Sequence, residues 1–414
     1  MRKVLRRQHG AVLIIAALLL AAAFGCVLAL RLALPAGEAA RSRATERALA
    51  QAREALLAYA ADRPIDPVVG PGYLPCPDND DDGWAEPTCG SLAGDSGQAE
   101  RLGRLPWKTL GVADLREGGG ERLWYAVSTK YKGLLNCTAS AGCVDMSPEA
   151  ALGTITVRDA QGAVIHDGTI ADPARANEAG AAAVIIAPAA RSPSGDNADF
   201  VDRSDAAGRA GNGNGFTRGA SDRVAAVGYG EVMPRVMRRV ALEVAACLRA
   251  HVQATGAYPP PAPLCAQAAD PDAWAAVPGA GFGRVPDVAW PGACNLASGG
   301  AHSWWRAWRA NVFYALRPGS LEVVDMEGRV IARSRDAAVI VAGPPVTRDG
   351  FTQHRDGASF GDARQWLEAG NAMLDDGAGC AAPPAYGCAA AGTCNRVTLA
   401  APQRAFNDVV VTLP

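Results

Sequence analysis

The chain has 414 residues, 49% of them apolar, with 42 acidic against 40 basic side chains and a net charge of −2. That length is enough for two or three domains, and the apolar fraction is ordinary for a globular protein. A charge so near balance, with no basic stripe beyond the first seven residues, excludes a nucleic-acid-binding surface.

The beginning organises the rest. Arg2, Lys3, Arg6 and Arg7 precede Gly10, and residues 11–30 carry no charge, enough to cross a bilayer at about 1.5 Å of rise per residue. Residues 39–61, dense in Ala, Leu, Glu, Gln and Arg, favour continued helix. The pattern predicts one long helix, with a transmembrane segment over 11–34 and a second half in a water-exposed domain. The basic head orients such a single-pass inner-membrane anchor with its N-terminus in the cytoplasm and the bulk periplasmic or extracellular. A cleaved signal ending near Leu34-Pro35-Ala36, a lipoprotein signal at Cys26 and a plain permanent anchor are the competing readings. About twenty apolar residues exceed the usual signal core of roughly 7–15, and Phe24 is bulky for a lipoprotein site.

The run Arg6-Arg7-Gln8-His9-Gly10, then Ala11-Val12-Leu13-Ile14-Ile15, resembles the leader of type IV prepilins: a short basic segment ending in Gly against an apolar helix that enters a head domain. Pro35 stands where pilin helices carry a kink, whereas Ile15 replaces the glutamate usual at the fifth residue after the Gly. The resemblance implies processing between Gly10 and Ala11 by a prepilin peptidase. It also implies packing of the mature helix among other pilin-like subunits.

Cys26 lies inside the apolar run; Cys76, Cys89, Cys137, Cys143, Cys247, Cys265, Cys294, Cys380, Cys388 and Cys394 lie beyond it. An even set in an exported part suits disulfides. Close spacing favours Cys76–Cys89 and Cys137–Cys143, while the trio Cys380, Cys388 and Cys394 leaves one member to pair distantly, with Cys265 and Cys294 among the remaining partners, or to stay reduced. Zinc is disfavoured, since no Cys-x-x-Cys pair occurs.

Past the helix the chain repeats itself. Tyr73-Leu74-Pro75-Cys76-Pro77, Gly103-Arg104-Leu105-Pro106, Leu123-Trp124-Tyr125-Ala126-Val127, Asp159-Ala160-Gln161-Gly162 and Ala183-Val184-Ile185-Ile186 recur in order. Their counterparts are Tyr258-Pro259 to Cys265, Gly283-Arg284-Val285-Pro286, Val312-Phe313-Tyr314-Ala315-Leu316, Asp325-Met326-Glu327-Gly328 and Ala338-Val339-Ile340-Val341. Ser221-Asp222-Arg223-Val224 matches Asn407-Asp408-Val409-Val410, and a second helical run covers 236–255. The expected fold is therefore α+β: a long transmembrane-plus-periplasmic helix followed by two repeated pilin-like units, each a helix on an antiparallel sheet. The expected divisions are a leader at 1–10, a membrane segment at 11–34, and units at 35–233 and 234–414. Leu74-Pro75-Cys76-Pro77-Asp78-Asn79-Asp80-Asp81-Asp82-Gly83, with Leu105-Pro106-Trp107-Lys108-Thr109-Leu110-Gly111 after it, resembles a group of pilin-like exported proteins of Gram-negative bacteria. That resemblance implies a filament- or secretion-related role and supplies no catalytic residue.

Asp78, Asp80 and Asp82 fall at positions 1, 3 and 5 of a calcium-loop pattern, with Gly83 at the turn and Glu86 at position 9. The twelfth position, a bidentate Glu in that pattern, is Cys89. A structural Ca2+ ion and a solvated acidic turn held by Cys76–Cys89 are the two readings. Gly94-Asp95-Ser96-Gly97 and Gly357-Ala358-Ser359-Phe360-Gly361 resemble serine-hydrolase signatures but lack a preceding buried strand or a suitably placed histidine. The histidines are scattered, Gly211-Asn212-Gly213-Asn214-Gly215 lacks a flanking strand and helix, and Trp304, Trp305 and Trp308 read as core at helical spacing. The expected function is a non-enzymatic, membrane-anchored minor pilin or pseudopilin; an anchored periplasmic ligand-binding module and an anchored serine hydrolase are the alternatives.

Overall fold

The structure, a computed structural model, describes residues 2–62, 70–87, 89, 102–132, 146–188, 215–217, 223–265, 274–292, 294, 296, 304–348, 350–355, 360–378, 380, 394–401 and 406–414. Within the first helix the side chains of 14–24 and 37–62 are described.

Helix α1 (Arg2–Asp62) runs without a break. Thr45, Ala48, Leu49, Ala52, Leu56, Ala60 and Ala61 are buried, and steps of three and four along a helix put them on one stripe. Residues 14–24 are exposed throughout. Four strands follow, β1 (Leu102–Arg104), β2 (Trp124–Val127), β5 (Ala183–Ala187) and β7 (Arg223–Val227), antiparallel in the order β1-β2-β5-β7. Gly228 then caps helix α2 (Tyr229–Thr255) with no linker between, and Glu231 accepts the Gly228 N–H at 3.2 Å. After α2 come β8 (Phe282–Arg284), β9 (Val312–Val324), β10 (Val330–Val341) and β14 (Val409–Leu413). They pair β8-β9-β10-β14, again all antiparallel.

The register repeats along with the order. Arg104 faces Trp124, which faces Ile186, which faces Val224; Arg284 faces Phe313, which faces Ile340, which faces Val410. A hairpin and a parallel add-on recur too. Strands β3 (Thr156–Arg158) and β4 (Val164–His166) flank the Asp159 turn, and β6 (Gly215–Thr217) joins β3 in parallel. In the second half the same hairpin is the far end of β9 and β10, joined in parallel by β13 (Arg396–Thr398), while β11 (Thr347–Arg348) and β12 (Phe351–Thr352) form a separate short hairpin. Asp159 and Asp325 close their turns alike, each Oδ1 accepting the N–H two and four residues on.

The Gly-Arg pair that opens each sheet has a steric cause. The segment before it crosses the strand closely: Asp78 bridges Arg104, and Ala262 bridges Arg284. A Cβ at Gly103 would lie 2.7 Å from the Asp78 carbonyl, and one at Gly283 would lie 1.9 Å from the Ala262 carbonyl. The arginine beside each glycine lies over the aromatic ring of the next strand, Arg104 at 4.0 Å from the Trp124 centroid and Arg284 at 4.1 Å from that of Phe313.

Period-two alternation sorts each strand into two faces. Tyr125, Val127, Ile185, Tyr314, Val339 and Val341 join the stripes of α1 and α2 in one continuous core, while Trp124 and Ile186, or Phe313 and Ile340, enter separate outer clusters. Helix α2 contributes Val232, Val236, Val240, Val244 and Leu248 to the central core. Three ion pairs tie α1 to its neighbours: Glu54 with Arg235 (2.6 Å), Glu46 with Arg223 (2.7 Å), and Arg53 with Glu231. The hydrogen bonds from Arg235 hold the Glu54 carboxyl below its ordinary range.

Two expectations are overturned. Among the described residues no helix is long and apolar enough to cross a membrane. The transmembrane segment over 11–34 and the single-pass inner-membrane location drawn from it are therefore corrected. The fold class is corrected with it, because the long transmembrane helix it began with is not found among the described residues. The two halves close on one shared core, and each sheet carries an outer cover of short strands and 3-10 turns. The second helix begins at Tyr229, ahead of the expected start at 236, and takes in Pro234.

Candidate functional site

The acidic loop is built by the two phrases that flank it in sequence. Leu74 N–H donates to the Tyr131 carbonyl (2.8 Å), Tyr125 Oη donates to the Pro75 carbonyl (2.9 Å), and residues 70–78 are buried, so the chain enters the loop rigidly. Asp78 is 1% exposed. Its Oδ1 accepts Asp82 N–H at 3.2 Å and its Oδ2 accepts Gly83 N–H at 2.7 Å. Asp80 Oδ1 also accepts from Asp82 N–H (3.2 Å), and Glu86 Oε1 accepts from Asn79 N–H (3.1 Å). Asp81 takes a left-handed φ of 66°, and its carboxylate meets Arg122 at 2.6 Å. Gly83 has φ 90°, and a Cβ there would sit 2.6 Å from Trp107 Nε1.

The later phrase 105–111 is the seat of this loop. Lys108 N–H donates to the Gly83 carbonyl (2.8 Å), Lys108 Nζ to the Asp82 carbonyl, and Ala85 N–H to Thr109 Oγ1 (2.7 Å). The two halves of the motif are thus one structural unit, stapled by the Cys76–Cys89 disulfide.

Asp78, Asp80 and Glu86 each present one oxygen, the three within 4.8 Å of one another. Oxygen donors so grouped are the ligand type of a hard cation. Asp82, the remaining expected ligand, is not brought into the group; its Oδ1 accepts the Trp84 N–H at 2.7 Å. Burial, the largest effect, pushes the Asp78 carboxyl above its ordinary range against the pull of its backbone donors. No family model, curated protein or solved structure matches this chain.

The other sequence candidates fall as follows. Gly10 and Ala11 lie inside continuous α1. The disulfides Cys76–Cys89 and Cys265–Cys380 are formed, so Cys380 is the trio member that pairs distantly. Cys394 is disulfide-bonded as well. Cys137, Cys143 and Cys388 lie outside the described residues. Cys294, expected in a disulfide, carries a free thiol and packs at the edge of the central core. Ser96, Ser359, His302 and 211–214 lie outside the described residues. Phe360, beside Ser359, is buried against Trp366, a packing position. His166 and His251 contact the carbonyls of Ala179 and Ala257, and His354 N–H donates to Gln365 Oε1. Trp304, Trp305 and Trp308 are buried in the central core.

Two features escaped the sequence. A groove of about 620 Å³ opens where the halves meet, lined by Asn177, Tyr229, Met233, Met237, Pro344 and Val346. It combines three distant segments, so no local pattern announces it. Glu368 and Asp408, both buried, face each other forty positions apart. The only hint of that pair is the recurrence of Asp222 as Asp408 in the repeat.

Proposed function

We propose that this chain is a non-enzymatic assembly subunit of a type IV pilus- or type II secretion-like filament. In this reading α1 is the element that packs among helices of other subunits. The observation that carries it is the exposure of Ile14, Ile15, Leu18, Leu19, Leu20 and Phe24, each between 57 and 72% accessible on a helix whose other end is locked into the core. A contiguous apolar patch of this kind marks an interaction surface, and the buried stripe from Thr45 to Ala61 fixes the direction in which it is presented. The resemblance of residues 6–15 to a prepilin leader supports the same reading and adds processing after Gly10.

The test is cysteine cross-linking in the native host with Leu18→Cys and, as a control, a cysteine on the exposed Gly162 turn. Adducts to helices of neighbouring subunits from position 18 alone support the reading, and a Leu19→Glu change should abolish them. Adducts from neither position, with a mature N-terminus still at Met1, overturn it. Labelling of Ser96 or Ser359 by a serine-directed fluorophosphonate overturns the non-enzymatic part.

A further inference from the structure

The outer face of the second sheet is covered by the segment 360–375, whose Phe360, Trp366, Leu367 and Leu374 are buried there. Two carboxyl groups fasten this cover to the residue just before β14. Glu368 is 0% and Asp408 1% exposed. Glu368 Oε2 accepts the N–H groups of Asn407 (3.1 Å) and Asp408 (3.2 Å), and its Oε1 accepts from Gln353 Nε2 (3.1 Å). Asp408 Oδ2 accepts the Glu368 N–H and Asn371 Nδ2, both at 3.0 Å. Asp408 Oδ1 is buried with no hydrogen-bond partner among the described residues. The arrangement is reciprocal, and every donor in it is an uncharged N–H.

Two ionised carboxylates would repel strongly in so dry a place. Among the described residues no cation of the surrounding elements donates to either carboxyl group. On the segment before the cover, Arg348 Nη2 donates to the Leu367 carbonyl and Arg355 to Glu149 and the Gln365 and Trp366 carbonyls. On the cover itself Arg364 pairs with Asp362, while the Asp375 carboxylate accepts the Gly377 N–H. On β13 Arg396 pairs with Glu322, and β14 has no titratable side chain.

We propose that Glu368 and Asp408 share one proton, and that this pair is a pH-sensitive latch that holds the 360–375 cover on the second sheet and releases it as the pH rises. Asp408 Oδ1, the oxygen that accepts no N–H, carries the hydrogen in this proposal, and the Glu368 carboxylate, in side-chain hydrogen-bond contact with Asp408, receives it. Burial first, and the neighbouring Glu368 charge second, push the Asp408 carboxyl well above its ordinary range. A carboxyl raised on folding contributes its stability fully below the unfolded value and loses it as pH climbs toward the folded one. The alkaline side is therefore the releasing side.

The experiment is urea unfolding of the full chain between pH 5 and 8, for the wild type, Asp408→Asn and Glu368→Gln. Amide exchange of 366–374, corrected for its intrinsic pH dependence, is followed in parallel. The wild type should lose about tenfold in its folded-to-unfolded ratio per pH unit for this proton. Asp408→Asn, which keeps a neutral hydrogen-bonding partner for Glu368, should flatten the slope by one proton and hold exchange of 366–374 constant. Asp375 titrates equally in all three proteins, so the comparison removes it. An unchanged slope in Asp408→Asn, or none in the wild type, overturns the latch. Glu368→Gln gives the same test should Asp408→Asn fail to fold. Should both fail, side-chain carboxyl 13C signals of the wild type decide at pH 7: one carboxyl still protonated supports the pair, and two ionised carboxylates overturn it.

Discussion

Replacing Arg284 and Arg104 by alanine uses the repeat as its own control, because the two arginines occupy one position in two environments. The Arg284 side chain is fully buried. It donates to the Ala310 carbonyl and to the Phe360 carbonyl (3.0 Å), and its guanidinium lies 4.1, 4.3 and 5.0 Å from the centroids of Phe313, Phe360 and Trp366. Hydrogen bonds from a charged donor contribute about 1.5–3 kcal/mol each, and a desolvated cation–π contact contributes about 2 kcal/mol. The cost of holding the charge away from water offsets part of this; that same burial depresses the Arg284 pKa. Truncation also leaves two carbonyls unpaired around a cavity, so Arg284→Ala should cost about 3–5 kcal/mol. Arg104 is half-buried, donates to the Arg122 carbonyl at 3.0 Å and covers the one ring of Trp124; its removal should cost about 1 kcal/mol. Urea unfolding with m near 3 kcal/mol per molar would then separate the two midpoints by roughly 1 M. Equal shifts, or a larger one for Arg104→Ala, would refute the assignment of the aromatic cage as a stabilising element.

Three further outcomes are expected. Loop-closure entropy makes the Cys265–Cys380 bridge, 115 residues apart, worth about 5 kcal/mol against about 3 kcal/mol for Cys76–Cys89, 13 apart. Thermal melts of the two double Cys→Ala variants should therefore rank in that order, and the reverse order would show that the acidic loop contributes more than its closure. Gly283→Ala places a Cβ against the Ala262 carbonyl and should cost about 2–4 kcal/mol through forced separation of the two segments, whereas Gly162→Ala, where a Cβ meets nothing but the backbone is left-handed, should cost about 1 kcal/mol; calorimetry reads both. Burial raises the Asp375 carboxyl to about 6, so its stabilising protonated form is complete below pH 4 and is lost as pH rises through 6. Asp375→Asn should reduce the decline in melting temperature over that window, and a variant that declines as steeply as the wild type would count against this.

The repeat was legible because its marks are backbone necessities. Gly103 and Gly283 recur because a neighbouring strand passes too close for a side chain, and Asp159 and Asp325 recur because each supplies the acceptor that closes a turn. The acidic loop could be placed, since Asp-rich spacing with Gly83 dictates a turn, but the turning away of Asp82 toward Trp84 depends on local hydrogen bonding that spacing does not encode. The membrane reading was drawn from a run of uncharged residues, and among the described residues no helix is long and apolar enough to cross a membrane. The union of the halves was missed for a different reason. A stripe on α1 and a stripe on α2 each look complete alone, and only the fold shows them meeting in one core. Cys294 misled because an even total invites pairing, while its position at the core's edge is set by packing.

The direct passage from β7 through Gly228 into α2, with α1 braced against both by Glu46, Arg53 and Glu54, has a mechanical consequence. Tension applied along the protruding rod would reach the body parallel to the interface, so the whole row of contacts from Thr45 to Ala61 must slide together before any yields. Loading in shear resists far better than peeling one contact at a time, and with no slack between the halves the strain passes from the first sheet into the second.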